Sequence, residues 1–181
     1  MTTSQPQERN QYLSFSLGGS DYAVGILQVK EILQFDSITR VPSVPTSVRG
    51  VINLRGSVVP VVDLSVKFGQ GESPVSRRTC VLVVEVTLDG QPAVMGVLAD
   101  GVTEVVELGK DDIEPPPHFG GGVRVPYLTG MGKVGQAFIL LIDLDQVLAA
   151  EEKRLALHPP TLPAPQPRPA AEDPAGAGAG A

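Results

Sequence analysis

Asp63 and Asp143 each follow an apolar run, Pro60-Val61-Val62 and Leu140-Leu141-Ile142. Two carboxylates held side by side could share a proton and serve as acid and base. Such a dyad needs a tight turn after each Asp, usually Thr or Ser and then Gly. Leu64-Ser65 and Leu144-Asp145 stand there instead. Each Asp is therefore expected to end a strand and cap the next turn of chain. His118 and His158 lie among prolines, with no Cys or carboxylate at metal-ligand spacing. A nucleophilic serine would need a Gly-x-Ser-x-Gly elbow, and the chain has none. Gly120-Gly121-Gly122 precedes neither a helix pattern nor a Lys-Ser/Thr pair, so it reads as a linker and not a phosphate loop. The single cysteine, Cys80, excludes an internal disulfide and a cysteine-based metal site, and is expected to be buried at a strand start. No catalytic residue, cofactor or metal is expected, and the chain reads as a non-enzyme.

One charge is left over. Gly50-Val51-Ile52-Asn53-Leu54 and Val58-Val59-Pro60-Val61-Val62-Asp63-Leu64 are two apolar runs joined at Arg55-Gly56-Ser57. Arg55 is an isolated cation at a tight turn in an otherwise apolar hairpin, which makes it a candidate for binding.

The elements around it are β in texture. Tyr12 to Leu17 alternates, stops at Gly18-Gly19-Ser20-Asp21, and resumes as Tyr22 to Ile26. Val81 to Val86 stops at Leu88-Asp89-Gly90 and resumes as Ala93 to Leu98. These hairpins open two similar segments. Gly25-Ile26-Leu27 with Val29-Lys30-Glu31-Ile32 echoes Gly96-Val97-Leu98 with Val102-Thr103-Glu104-Val105. Leu54-Arg55-Gly56 echoes Leu128-Thr129-Gly130, and Pro60 to Leu64 echoes Leu140 to Leu144. The expectation is two β subdomains of about five strands each. Units this small hold little core, so each sheet is expected to close into a barrel and the barrels to pack together. Gly56 and Gly130 are expected at positive φ. Pro60 cannot donate to a ladder, which predicts an edge or bulged strand. Leu144 to Leu157 reads as a terminal helix stopped by His158-Pro159-Pro160. Arg55 has Thr129 as its counterpart in this repeat, so the charge belongs to one copy only.

Net charge is −6 with no basic run, and aromatic residues are 4% with no Trp. Nucleic acid and anionic membrane are poor partners for such a surface. No stretch is apolar over enough length to span a bilayer, and the polar first ten residues lack the apolar core of a secretion signal. A soluble, cytoplasmic protein is expected. Residues 1–10 and 158–181 are expected to be disordered, the second because Pro, Ala and Gly dominate it.

The segment Gly50 to Leu64 resembles the signature segment of the CheW family of bacterial chemotaxis coupling proteins. Tyr22 to Ile32, Arg40-Val41-Pro42, Gly96 to Val102 and Tyr127 to Gly130 fit the same pattern. The resemblance covers 11–157, with subdomains intertwined and divided near 65–80 and around 143–157. It implies an all-β fold of two SH3-like barrels and an adaptor between a CheA-type histidine kinase, through its regulatory domain, and the cytoplasmic tip of methyl-accepting chemoreceptors. It also implies assembly into rings with the kinase beneath the receptors, at the inner face of the membrane without insertion into it. Arg55 matches the family's coupling arginine, Glu31 a glutamate near it, and Val29, Gly50 and Val102 positions tied to receptor binding. In this reading a receptor hairpin lies in a groove between the barrels, with Val29, Ile32 and Val102 as contact area and Arg55 at the edge, alone or paired with Glu31. The alternatives are a generic β peptide-binding module and a regulatory domain outside chemotaxis.

Overall fold

A computed structural model of the chain describes residues 8–116 and 127–159. Along the chain these form β1 (Asn10–Leu17), β2 (Ser20–Gly25), β3 (Val29–Gln34), β4 (Val48–Leu54), β5 (Ser57–Asp63), α1 (Leu64–Lys67), β6 (Cys80–Leu88), β7 (Gln91–Ala99) and β8 (Gly101–Leu108). Then come β9 (Ile113–Glu114), β10 (Leu128–Val134), β11 (Ala137–Ile142), α2 (Leu144–Val147) and α3 (Ala150–Leu157). The expectations for residues 1–7, His118, Gly120-Gly121-Gly122 and the tail after Pro159 lie outside the described residues.

One sheet has six strands in the order β8-β1-β2-β11-β10-β9, and the other has five in the order β3-β6-β7-β5-β4. The opening hairpin of each half is thus exchanged. β1 and β2 join β8 to β11, while β6 and β7 join β3 to β5. The junctions match: β11 runs parallel to β2 and β5 parallel to β7. In each sheet the chain leaving one edge strand returns to the other edge. After β3, Thr39 bridges Val51 of β4; after β8, β9 pairs with β10. That return closes each sheet into a barrel and removes an exposed edge.

The largest core is shared. Leu13, Phe15 and Val24 from one sheet and Leu82, Val84, Met95 and Val97 from the other form one cluster, joined by Leu144 and Val147 of α2. Each barrel keeps only a small interior cluster of its own, around Leu141 in one and Leu98 in the other. Rings of Phe15, Tyr22, Phe68 and Tyr127 stack in series with centroids 6.0, 5.5 and 4.8 Å apart. Burying the most surface between the barrels is how two units with little core each stay folded.

Several sequence expectations need correction. Pro60 is not on an edge: β5 lies between β7 and β4. Pairing to β7 starts one residue later, at Val61, so no ladder asks Pro60 for a donor on that side. The bulge is on the partner strand, where Arg49 is the extra residue between Val48↔Val62 and Gly50↔Val61. The terminal helix is two helices, because Leu148 turns the backbone to extended values after α2. Strand β1 begins at Asn10, paired with Leu108.

The internal echo of the Arg55 turn is also displaced. Thr129 is the bulge residue of β10, between Leu128↔Ile142 and Gly130↔Leu141, and so corresponds to Arg49. Gly130 corresponds to Gly50. It does not have positive φ; instead a Cβ there would come within 3.0 Å of Glu114 O, as one at Gly50 would within 2.3 Å of Thr39 O. Both glycines admit the returning chain that closes the barrel. The counterpart of Arg55 is Gly135, in the turn between β10 and β11, with φ +60° against +52° for Arg55.

Candidate partner-binding cleft

The β4–β5 hairpin has a two-residue loop, Arg55-Gly56, between the paired Leu54 and Ser57. Both loop residues have positive φ, +52° and +87°, as a type I′ turn requires. Asn53 Oδ1 accepts from Gly56 N–H at 2.9 Å and pins the turn. A left-handed conformation costs a residue with a Cβ roughly 1–2 kcal/mol relative to glycine. The other half of the molecule uses glycine at this place, and this half holds an arginine there against that cost.

The Arg55 side chain is 77% exposed, and its Nη2 donates to Glu31 Oε1 at 3.1 Å. Glu31 is on β3, 28% exposed, so the pair spans from the turn after one outer strand to the other outer strand. Around them opens a cleft of about 680 Å³. Lys30, Val58 and Val83 line it with the pair, and helix α3 adds Ala156, with Pro159 just beyond its end. Lys30 is the bulge residue of β3 and forms its own pair with Glu85 at 2.9 Å.

The remaining sequence candidates lie elsewhere. Ile32 is next to Glu31 on β3, points to the opposite face and is 46% exposed. Val29 and Val102 are half-buried against the shared core, at matching places just before the bulges of β3 and β8. They supply packing more than open contact area. Gly50 is buried, and its lack of a side chain serves the closure at Thr39. The structure therefore brings Arg55 and Glu31 together and leaves Val29, Ile32, Gly50 and Val102 outside this cleft.

Two polar clusters outside the cleft escape sequence reasoning. Asp63 is fully buried. It caps α1 through Ser65 N–H and accepts from Ser73 N–H, Ser73 Oγ–H and Arg49 Nη1, the last at 2.8 Å. The bulge re-aims the Arg49 side chain and brings it to the carboxylate. Asp143 caps α2 through Asp145 N–H in the same way, so both aspartates are caps. The second cluster holds α3. Buried Glu152 accepts from Ser47 Oγ–H, from Lys67 Nζ at 3.0 Å and from Ala149 N–H at 3.0 Å. Cys80 is buried, and burial, with Asp100 nearby, pushes its thiol above the ordinary value. Among the described residues no group of three His, Cys, Asp or Glu side chains could hold a metal ion.

Comparison with known proteins fits this duplicated barrel. The CheW-like domain family matches residues 11–152. The chain belongs to the CheW family. A CheW chemotaxis protein of Klebsiella aerogenes is 39% identical over 145 residues, covering 80% of this chain and 85% of that protein. One of Rhizobium meliloti is 31% identical over 144 residues, covering 80% and 90%. The crystal structure of the scaffolding protein TtCheW from Thermoanaerobacter tengcongensis superposes with a TM-score of 0.69 at 31% identity, covering 84% of this chain and 96% of that one. The CheW-like match takes in both barrels and the hairpin that carries Arg55. The match ends at Glu152, so most of α3 and the chain after it lie beyond the shared domain.

Proposed function

We propose that this chain is a non-enzymatic adaptor in bacterial chemotaxis signalling. It couples methyl-accepting chemoreceptors to a CheA-type histidine kinase, using residues 11–157 as the folded unit. The observation that carries the reading is Arg55, an exposed cation held at a position where the duplicated copy has glycine. A group kept against a conformational cost and turned to solvent serves something outside the fold. Among the described residues no helix is long and apolar enough to cross a membrane. Membrane proximity in this reading comes from the receptors, from the cytoplasmic side.

The mechanism is binding alone. The kinase regulatory domain or the receptor tip meets the Arg55 cleft, where Arg55 offers a planar fork of donors to a carboxylate or a row of carbonyls. Glu31 sets the direction of that fork. Ile32, exposed on the face of β3 opposite to Glu31, gives an apolar contact separate from the cleft. Two barrels give the adaptor two ends, which suits assembly into rings with the kinase. A reconstituted receptor–kinase assay tests this. Arg55→Glu is expected to remove kinase coupling while the protein stays folded. Full kinase control by that variant would overturn the reading.

A further inference from the structure

The Arg55 cleft has a wall that the hairpin does not supply. The chain reaches α3 from β11 of the six-stranded sheet, yet α3 packs on β5, β6 and β7 of the five-stranded one. Two anchors hold it there. Buried Glu152 accepts from Ser47 Oγ–H and Lys67 Nζ. Buried Lys153 donates to Asp145 O at 2.6 Å, and Asp145 Oδ1 accepts from Thr87 N–H of β6 at 2.7 Å. So fixed, the last turn of α3 brings Ala156 to the cleft lining, with Pro159 just beyond. The CheW-like match ends at Glu152, so this wall stands outside the shared domain while Arg55 stands within it.

The lining says what chemistry the cleft accepts. Its charged residues are two cations and one carboxylate, Lys30, Arg55 and Glu31, on a chain of net charge −6. Glu31 takes one Nη2 N–H of Arg55, which leaves guanidinium donors for a carboxylate from outside. Lys30, paired with Glu85, also keeps donors to spare. Val58, Pro92, Val94 and Ala156 give apolar contact beside these charges. A positive cleft with apolar lining on an acidic protein selects a carboxylate next to apolar side chains, and repels a basic surface.

We propose that the last turn of α3 is a partner-contacting wall of the Arg55 cleft and sets its specificity. The occupant is a protein surface that gives a carboxylate to Arg55 and packs apolar side chains on Val58 and Ala156. This rests on the reading of the cleft as the partner site. Arg55 supplies the general attraction, and the α3 wall decides which acidic surface fits beside it. Ala156 has neither charge nor donor in its side chain, so the wall discriminates by shape and by what it leaves room for. Two chains with the same hairpin and different residues in this turn would share the Arg55 contact and differ in partner.

The test places opposite charges at one position of the wall in the full chain. Ala156→Glu and Ala156→Lys both keep the Glu152 and Lys153 anchors and put good helix formers in α3. Each is titrated calorimetrically with a kinase regulatory domain and with a receptor-tip fragment, beside the parent and Arg55→Glu. For the fragment whose binding Arg55→Glu weakens, Ala156→Glu is expected to weaken binding about three- to tenfold. Ala156→Lys is expected to hold or tighten binding, and to make it fall more steeply with salt. A displaced helix would weaken both variants alike, and that result would overturn the contact. Parent-like affinity and salt dependence in both would overturn the α3 wall and leave the Arg55 cleft standing. If the parent binds neither fragment, or Arg55→Glu binds both like the parent, the reading of the cleft as the partner site falls.

Discussion

Arg55 and Glu31 meet across the seam of the first barrel, Nη2 to Oε1 at 3.1 Å, from opposite edges of a five-stranded sheet. An exposed pair of this kind is worth about 0–1 kcal/mol. Its effect is directional: one carboxylate holds an exposed guanidinium at the cleft. At the other end of the same hairpin Arg49 and Asp63 form a second Arg–carboxylate pair, with the carboxylate fully buried. The two pairs have the same chemistry and opposite roles.

Replacing Arg55 by glycine relieves the left-handed strain and loses the Glu31 pair. The two changes nearly cancel, so stability by urea unfolding is expected within about 1 kcal/mol of the parent. Kinase coupling is expected to be lost. A large loss of stability would mean that Arg55 is a structural residue.

Arg49→Ala leaves the Asp63 carboxylate buried without its cation. Removing one partner of a buried pair costs about 3–5 kcal/mol, so the thermal midpoint is expected to drop well below that of Arg55→Gly. Differential scanning calorimetry of the two variants side by side checks this. Equal midpoints would contradict the division between structural and binding arginine.

Glu152→Ala removes the acceptor of Ser47, Lys67 and Ala149 together. Lys67 is left partly buried with no carboxylate. A loss of about 3–5 kcal/mol is expected. Hydrogen exchange should quicken first in α3 and not in β1 or β2. Uniform exchange across the chain would show that α3 is not held by this cluster.

Burial pushes the Cys80 thiol upward, with Asp100 adding to the shift, and also raises the Tyr22 and Tyr127 phenols. The unfolded chain then loses these protons at lower pH than the folded one. Stability from these groups is intact below the ordinary thiol value of about 8.5 and falls as pH rises above it. Urea midpoints are expected to decline between about pH 8.5 and 10, with a smaller decline in Cys80→Ala. A rising midpoint over that range would contradict the sign.

Much of the molecule is legible in sequence because it is local. Asp63 and Asp143 cap the turns after their strands, Asp89-Gly90 and Gly18-Gly19 make their hairpins, and Arg55 stands out against an apolar run. The long-range features are not legible in this way. The exchange of β1–β2 and β6–β7 between sheets leaves no mark within a strand, because either hairpin presents the same alternating face. Leu54-Arg55-Gly56 is drawn onto Leu128-Thr129-Gly130 because both contain Leu-x-Gly. Only the pairing shows that one glycine sits in a turn and the other opposes a returning chain. Arg49 is hidden because a bulge, which re-aims a side chain, has no composition of its own. Ala156 carries no chemical signal, and its place in the cleft comes from Glu152 and Lys67, which lie far apart in sequence.

The most direct test of the central claim is a charge exchange at the cleft, read as affinity for the kinase regulatory domain and for a receptor-tip fragment. Arg55→Glu is expected to weaken binding at least tenfold with the fold intact. The double variant Arg55→Glu/Glu31→Arg restores the ion pair with its polarity reversed. If Arg55 acts on a partner, the double variant stays as weak as the single one. Recovery of binding in the double variant would show that only the internal pair matters, and would contradict the assignment of Arg55 as a contact residue.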